Sequence, residues 1–123
     1  MAWLLVAGFG AVGALTRWRI EEGVGSPGAG EFPWAIFSIN LSGAFAIGML
    51  AALVTERAGV SDDWRIALGT GFLSAFTTFS TYSLQTVNLI EDGHIATAAA
   101  YALGSLALGL VAAYAGLSLG RAL

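Results

Sequence analysis

The sequence predicts an all-α membrane protein with four transmembrane helices per chain, the third of them broken near its middle. Of the 123 residues, 57% are hydrophobic and only 11% are charged, which is too apolar for an ordinary soluble domain of this size. The apolar residues form four long segments with short polar connectors between them. Because the connectors leave no room for another unit, we expect residues 1–123 to form one domain.

The four apolar segments cover residues 2–20, 33–54, 64–90 and 95–119. A helix needs roughly 20 residues to cross a ~30 Å hydrocarbon core, so the first two segments fit directly. Pro33 suits the first turn of the second helix, where its missing N–H costs nothing, and Asp62 is expected to help cap the third. The start Met1-Ala2-Trp3 has no basic stretch, so we interpret the first segment as a mature helix and not as a signal peptide.

The third segment is longer than a span requires, and its middle is the run TTFSTYS at residues 77–83. Threonine and serine are poor helix formers because their side chains compete for backbone hydrogen bonds. In hydrocarbon, each freed N–H or C=O is costly unless another group binds it. We therefore expect the helix to be broken here in order to hold or pass a polar species, as in transport proteins.

Polar and aromatic residues elsewhere add to this candidate pathway. Asn40 lies inside the second segment, and its amide either bonds to another helix or faces a polar path as a donor. Phe79 and Tyr82 are three residues apart and share a face if the helix resumes there; their ring edges would suit an anion, or they simply pack. Tyr101 and Ser105 share a face of the fourth segment. With the run's hydroxyls they would form a track of uncharged donors, unless those hydroxyls bond to their own helix. The run's hydroxyl residues are Thr77, Thr78, Ser80, Thr81 and Ser83.

Several functions are disfavoured by what the sequence lacks. No acidic residue lies in the middle of a span, whereas proton-coupled exporters place an ionisable group there, so passive passage fits better. With one histidine, no cysteine and no nucleophile–base–acid set, we expect no enzyme, and we expect no nucleic-acid partner. The pattern GFGAVG at residues 8–13 imitates a dinucleotide motif, but it has no preceding strand and is better explained by close helix packing.

The arginines give the topology almost no bias. Four spans would place Arg57, Arg65 and Arg121 on one side of the membrane and Arg17 and Arg19 on the other. The positive-inside rule therefore has little to act on. Either other signals fix the orientation, or copies insert both ways and pair in antiparallel fashion. Small residues four apart, such as Gly116 and Gly120, would allow close helix contacts, although such pairs also arise by chance in Gly-rich helices.

Three stretches resemble the signatures of the Fluc (CrcB) fluoride channels, in the same order and with the same spacing. They are GAVGALTRW at residues 10–18, NLSGAFAIG at 40–48 and GFLSAFTTFST at 71–81. The threonine-rich element is quite specific, and the resemblance covers essentially the whole chain. It implies an antiparallel dual-topology dimer with two fluoride pores. It also implies a structural sodium ion (Na+) at the dimer centre, held by the backbone carbonyls of Ser74 and Thr77.

The resemblance also implies roles for the pore residues. Asn40 would be the amide donor, Phe79 and Tyr82 the two pore aromatics, and Tyr101 with Ser105 the polar track of the fourth helix. Arg17 would match an arginine at the end of the first helix that draws anions toward a vestibule.

Two positions depart from the family pattern. The second pore aromatic is usually Phe, and the Tyr82 hydroxyl would either bind fluoride directly or weaken the ring-edge arrangement. Ser74-Ala75 replaces a Gly-Gly pair, so the unwound backbone is less free there.

We therefore expect a fluoride-selective channel that lets F⁻ leave the cytoplasm passively, multi-pass in the bacterial inner (plasma) membrane. The dimer would be a homodimer, or a heterodimer with a related partner. The alternatives are a small dual-topology multidrug exporter, which would need a carboxylate within the membrane, and a non-conducting structural subunit of a membrane complex.

Overall fold

The computed structural model describes residues 1–57 and 59–123, and within them the chain is helical without strands. Helix α1 spans Ala2–Val24 and α2 spans Trp34–Glu56. The next helix is composite and consists of α3 (Asp62–Arg65), a π-helical segment (Ile66–Leu73) and α4 (Ser74–Phe76). After a two-residue break come α5 (Phe79–Glu91) and α6 (Ile95–Ala122).

The helix starts differ slightly from the sequence-based expectations. Pro33 is the residue before α2 and not part of its first turn. Ser61, not Asp62, caps α3, because its hydroxyl oxygen accepts a hydrogen bond from the Trp64 amide at 3.4 Å. Asp62 instead lies in the first turn, where a carboxylate is favoured, and pairs with Arg65 at 3.4 Å.

Two helices, α2 and α6, are long and apolar enough to cross a membrane. Helix α1 carries four charged residues in its second half, and the third helix is divided, so neither meets the same criterion. The tryptophans are exposed and lie near helix ends, as is typical of side chains at a membrane–water interface. They are Trp3, Trp18, Trp34 and Trp64.

The third helix breaks where the sequence predicts, but over a shorter stretch. Only Thr77 (φ −84°, ψ 157°) and Thr78 (φ −148°, ψ 121°) are extended. The helix resumes at Phe79, so the remaining residues of the run, 79–83, are helical. The break is confined to two residues because Thr78 caps α5 at once: its hydroxyl oxygen accepts a hydrogen bond from the Thr81 amide at 3.2 Å.

The eight-residue π-helix before the break was not predicted. Its turns are wider than those of an α-helix, and π-helical turns are rare and frequently lie at functional sites. At its end, the Gly69 carbonyl accepts hydrogen bonds from both the amide and the hydroxyl of Ser74, the latter at 3.0 Å. Ser74 thus stabilises the wide turn that leads into the break.

Glycines allow the helix backbones to touch. A Cβ added to Gly48 or Gly116 would collide with the Ala113 and Phe45 carbonyls, respectively, so α2 and α6 pack backbone to backbone. In the same way, a Cβ on Gly13 of α1 would strike the Phe72 carbonyl, and one on Gly71 would lie 2.9 Å from the Phe9 Cβ. Of the glycine pattern at residues 8–13, Gly13 makes the expected close helix contact, Gly10 is in ordinary contact with Gly71, and a Cβ on Gly8 would meet nothing within 4 Å.

A small aromatic and aliphatic core lies beside the break. It contains Ile36 and Ile39 of α2, Phe76 of α4 and the fully buried Tyr101 of α6. Phe32, in the connector before α2, packs edge to face on Tyr101 with ring centroids 5.4 Å apart. This core holds α2, α5 and α6 in a fixed relation around the broken segment.

The replacement Gly116→Ala should destabilise the protein by about 1–3 kcal/mol, because the added methyl group forces α2 and α6 apart. The measurement is the midpoint of SDS-induced unfolding of purified protein in mild detergent. Gly104→Ala is the matched control on the same helix, since a Cβ there meets nothing within 4 Å. Equal midpoints for the two variants would contradict the close contact.

Candidate functional site at the helix break

A cavity of about 560 Å³ lies beside the break and opens on one side of the chain. Its walls are largely apolar, with contributions from Ile47, Leu73 and Leu106. The cavity brings together residues from α2, α4, α5 and α6. The predicted site residues that line it are Asn40, Ser74, Thr77, Thr78, Phe79, Tyr82 and Ser105. Within the described chain, no charged side chain lines this cavity.

The side-chain amide of Asn40 binds the backbone of the break through both its nitrogen and its oxygen. Its Nδ2 donates to the Thr78 carbonyl at 3.0 Å, and its Oδ1 accepts from the Thr78 amide at 2.9 Å. The side chain thus supplies the partners that a helical turn would have provided. Of the two alternatives left open by the sequence, the helix–helix bond is present, and one Nδ2 hydrogen remains for the cavity.

This pairing alters the hydrogen bonding of Ser74. In an α-helix the Ser74 carbonyl would accept from the Thr78 amide, four residues later. Here the Thr78 amide donates to Asn40 instead, while the Thr77 amide donates to Leu73 at 3.1 Å. The Ser74 carbonyl therefore loses its helical donor and keeps its acceptor capacity.

Most hydroxyls of the run bond locally, so the predicted continuous track of free donors is not present. The Thr77 hydroxyl donates to the Leu73 carbonyl at 2.9 Å, and the Ser83 hydroxyl donates to the Phe79 carbonyl at 2.9 Å. The Thr78 hydroxyl caps α5 and lies 3.4 Å from the Ser80 hydroxyl. Thr81 contributes its amide to that cap. Such local bonds are the usual way in which a helix satisfies hydroxyls.

Ser105 is different, because its hydroxyl oxygen is buried and has no hydrogen-bond partner within the described chain. Ser105 is on α6 and lines the cavity, but its hydroxyl oxygen is buried in the cavity wall. A buried polar group without a partner is unfavourable unless a ligand or water completes it. Ser105 is therefore the clearest free donor at this site.

The two candidate pore aromatics line the same cavity but differ in their surroundings. The Phe79 and Tyr82 rings are 5.8 Å apart and tilted by 46°. Phe79 is 78% exposed in the single chain. Tyr82 packs edge to face on Tyr101 with centroids 5.1 Å apart, and its hydroxyl donates to the Ala102 carbonyl at 2.8 Å.

Tyr101 lies behind the cavity wall and does not line the cavity. It is fully buried, and its hydroxyl donates to the Gln85 Oε1 at 2.7 Å. Gln85 was not among the predicted site residues, although it lies three residues after Tyr82, a spacing that places both on one helix face. Gln85 also lines a separate pocket of about 200 Å³ near the first connector, beside Glu21 and Glu31.

Arg17 lies at the break and not at the end of α1, since α1 continues to Val24. Its Nη1 donates to the Thr77 carbonyl at 3.5 Å, and the side chain is half-buried. The longer helix places this guanidinium beside the extended residues, and its role in drawing anions toward a vestibule stays a prediction.

A sodium ion at this site would depend on backbone oxygens. Among residues 1–57 and 59–123, no three His, Asp or Glu side chains come together as a cation cage. Hard cations take carbonyl oxygens, and the Ser74 carbonyl fits because its helical donor is diverted. The Thr77 carbonyl also fits, but it shares its lone pairs with Arg17.

Comparisons with known proteins identify the family of the chain. The family model described as "CrcB-like protein, Camphor Resistance (CrcB)" matches residues 4–117. A Geobacter sulfurreducens protein named "Fluoride-specific ion channel FluC" is 40% identical over 120 residues, covering 98% of this chain and 97% of the relative. The Moorella thermoacetica "Fluoride-specific ion channel FluC 2" is 43% identical over 116 residues, covering 94% of this chain and 93% of the relative.

A third relative, from Agrobacterium fabrum, has the same name as the first and is 41% identical over 117 residues, 95% of this chain and 94% of its own length. These relatives are named as ion channels, which are not enzymes. The chain belongs to the CrcB family.

Proposed function

We propose that this chain is the subunit of a fluoride-selective channel that lets F⁻ leave the cytoplasm passively. The observation that supports this most strongly is an uncharged cavity lined by Asn40, Ser105 and the Phe79 and Tyr82 rings, with the unpaired Ser105 hydroxyl buried in its wall. These groups offer hydrogens and positive ring edges to an anion without fixed charge. The relatives' names give fluoride as the ion.

Selectivity would come from replacing water around a small anion. The remaining Asn40 hydrogen, the Ser105 hydroxyl and the ring edges are few and lie between apolar walls. A strongly hydrated ion crosses such an apolar constriction only if these donors replace its hydration shell. The described lining has no carboxylate, which favours a passive anion path over a multidrug exporter that works with protons.

The channel would be an antiparallel dual-topology homodimer with four spans per chain, multi-pass in the bacterial inner membrane. The cavity is open on one side, and Phe79 and Ser74 are exposed there, so a second copy would complete the wall. The arginines divide three to two between the two ends, which favours neither orientation. A heterodimer with a related chain would cover the same side.

Sodium would join the two copies at their centre. Each chain offers two carbonyl oxygens, those of Ser74 and Thr77, and two copies would together offer four oxygen ligands, the kind that a hard cation takes. When bound, the ion would neutralise carbonyl dipoles that face each other. In each chain, Asn40 keeps the Ser74 carbonyl free, and Ser74 fixes the turn before it.

The first test is F⁻ efflux from liposomes that contain only this protein, with Cl⁻ as the control ion. We expect fast F⁻ efflux and negligible Cl⁻ efflux, because the uncharged donors suit a small anion and the apolar walls exclude larger ones. An ion-selective electrode records both. Absence of F⁻ efflux from correctly assembled protein would contradict a homodimeric channel and favour a heteromeric partner or the structural-subunit alternative.

Two Asn40 variants separate its structural role from its role as a donor. Asn40→Leu leaves the Thr78 amide and carbonyl unpaired, so it should lower stability by about 1–3 kcal/mol per group. Asn40→Asp keeps an acceptor for the Thr78 amide but places a carboxylate in the cavity. It should reduce F⁻ efflux about ten- to a hundredfold.

Unfolding midpoints and efflux rates of the Asn40 variants are compared with those of Asn88→Asp, the same change at an exposed position of α5. If Asn40→Leu unfolds at the wild-type midpoint, Asn40 does not hold the break. If Asn40→Asp conducts like the control, its amide does not face the ion.

Replacing Na⁺ by N-methylglucamine should weaken the dimer, because a large organic cation cannot sit among the carbonyls. The measurement is the temperature at which the dimer peak disappears in size-exclusion chromatography, in each cation. We expect a lower temperature without Na⁺, and the same result with K⁺ as a second substitute. Identical temperatures in all three would argue against a structural sodium ion.

A further inference from the structure

Tyr82 stands where the resemblance predicts phenylalanine, and the structure shows what its extra oxygen does. The hydroxyl donates to the Ala102 carbonyl of α6 at 2.8 Å, an ordinary O–H···O distance. We propose that Tyr82 is a positioning residue: its hydroxyl ties the ring to α6, so that the ring and not the hydroxyl meets the permeating ion. This inference depends on the proposed function.

The donor count supports this role. A phenol has one hydrogen, and here Ala102 receives it. The lone pairs that remain on the Tyr82 oxygen accept hydrogen bonds and would repel an anion. Direct binding of fluoride would therefore require the bond to Ala102 to break. This differs from both sequence-based alternatives, in which the hydroxyl binds fluoride or loosens the ring.

The ring is also held from a second direction. It packs edge to face on Tyr101, which is fully buried and bonded to Gln85. Tyr82 is thus joined to α6 by a hydrogen bond and by a ring contact, both on residues that are themselves fixed. Phe79 has no such support in the single chain, because it is 78% exposed.

The free donor beside this ring comes from α6 itself. Ser105 lies three residues after Ala102, so the two are neighbours on one helix face. Its buried hydroxyl has no partner in the described chain, and Ser105 lines the same cavity as Tyr82. The tie to Ala102 therefore holds the Tyr82 ring against the part of α6 that carries Ser105.

The test compares Tyr82→Phe, Ser105→Ala and the control Tyr114→Phe, which removes the same hydroxyl from a side chain that is 70% exposed on α6. Liposome efflux at several F⁻ concentrations gives the maximal rate and the half-saturating concentration. For Tyr82→Phe we expect the half-saturating concentration to stay within about twofold and the maximal rate to fall about three- to tenfold. Ser105→Ala should raise the half-saturating concentration about tenfold.

Two efflux results would overturn the proposal. A half-saturating concentration raised about tenfold in Tyr82→Phe would show that the hydroxyl binds the ion directly. A maximal rate equal to that of Tyr114→Phe would show that the tie does not position the ring.

A spectroscopic readout keeps the test independent of transport. Protein labelled with ¹³C at tyrosine Cζ is examined in mixed H₂O and D₂O, and the Tyr82 signal is assigned by its loss in Tyr82→Phe. We expect two lines from a slowly exchanging hydroxyl and no shift on adding fluoride. If the wild type passes no F⁻, the proposed function fails, while a single fast-exchange line or a fluoride-dependent shift overturns the role of Tyr82.

Discussion

The amide of Asn40 determines the geometry of everything around it. By pairing with both backbone groups of Thr78, it allows the third helix to stop at Phe76 and restart at Phe79 without leaving those groups bare in hydrocarbon. The direction of α5, and hence of Phe79 and Tyr82, follows from that restart. The altered bonding of Ser74 has the same origin, so the candidate cation ligand and the candidate pore aromatics depend on one side chain.

Asn40 can reach the break because α2 has glycines on the same side, which let neighbouring segments approach closely. Gly43, three residues after Asn40, leaves space that the Thr77 methyl group occupies; an added Cβ would collide with it. Gly48 continues the approach toward α6. Helix α2 is thus both a membrane-capable helix and the support that sets the distances among the break, α6 and the core.

The sequence predicted the features that depend on composition and local chemistry. The hydroxyl-rich break and the close helix contact at Gly13 follow from backbone hydrogen bonding and side-chain size. The π-helix was not predicted from the sequence; within it, Gly71 packs closely against Phe9 of α1. The local hydrogen bonds of the Thr77 and Ser83 hydroxyls depend on their rotamers, which the sequence does not give. The burial of Tyr101 behind the cavity wall depends on its tertiary neighbours.

The freed carbonyl of Ser74 has a consequence for how the protein is made. A single chain dissolved in lipid would carry an acceptor without a donor beside an open cavity, and lipid tails offer nothing to satisfy it. Such a chain is unfavourable in the bilayer until another polypeptide or an ion covers that side. Under the proposed assembly, the last stage of folding and the capture of a second copy become a single thermodynamic event, so the amount of protein in the membrane also governs how much of it is folded.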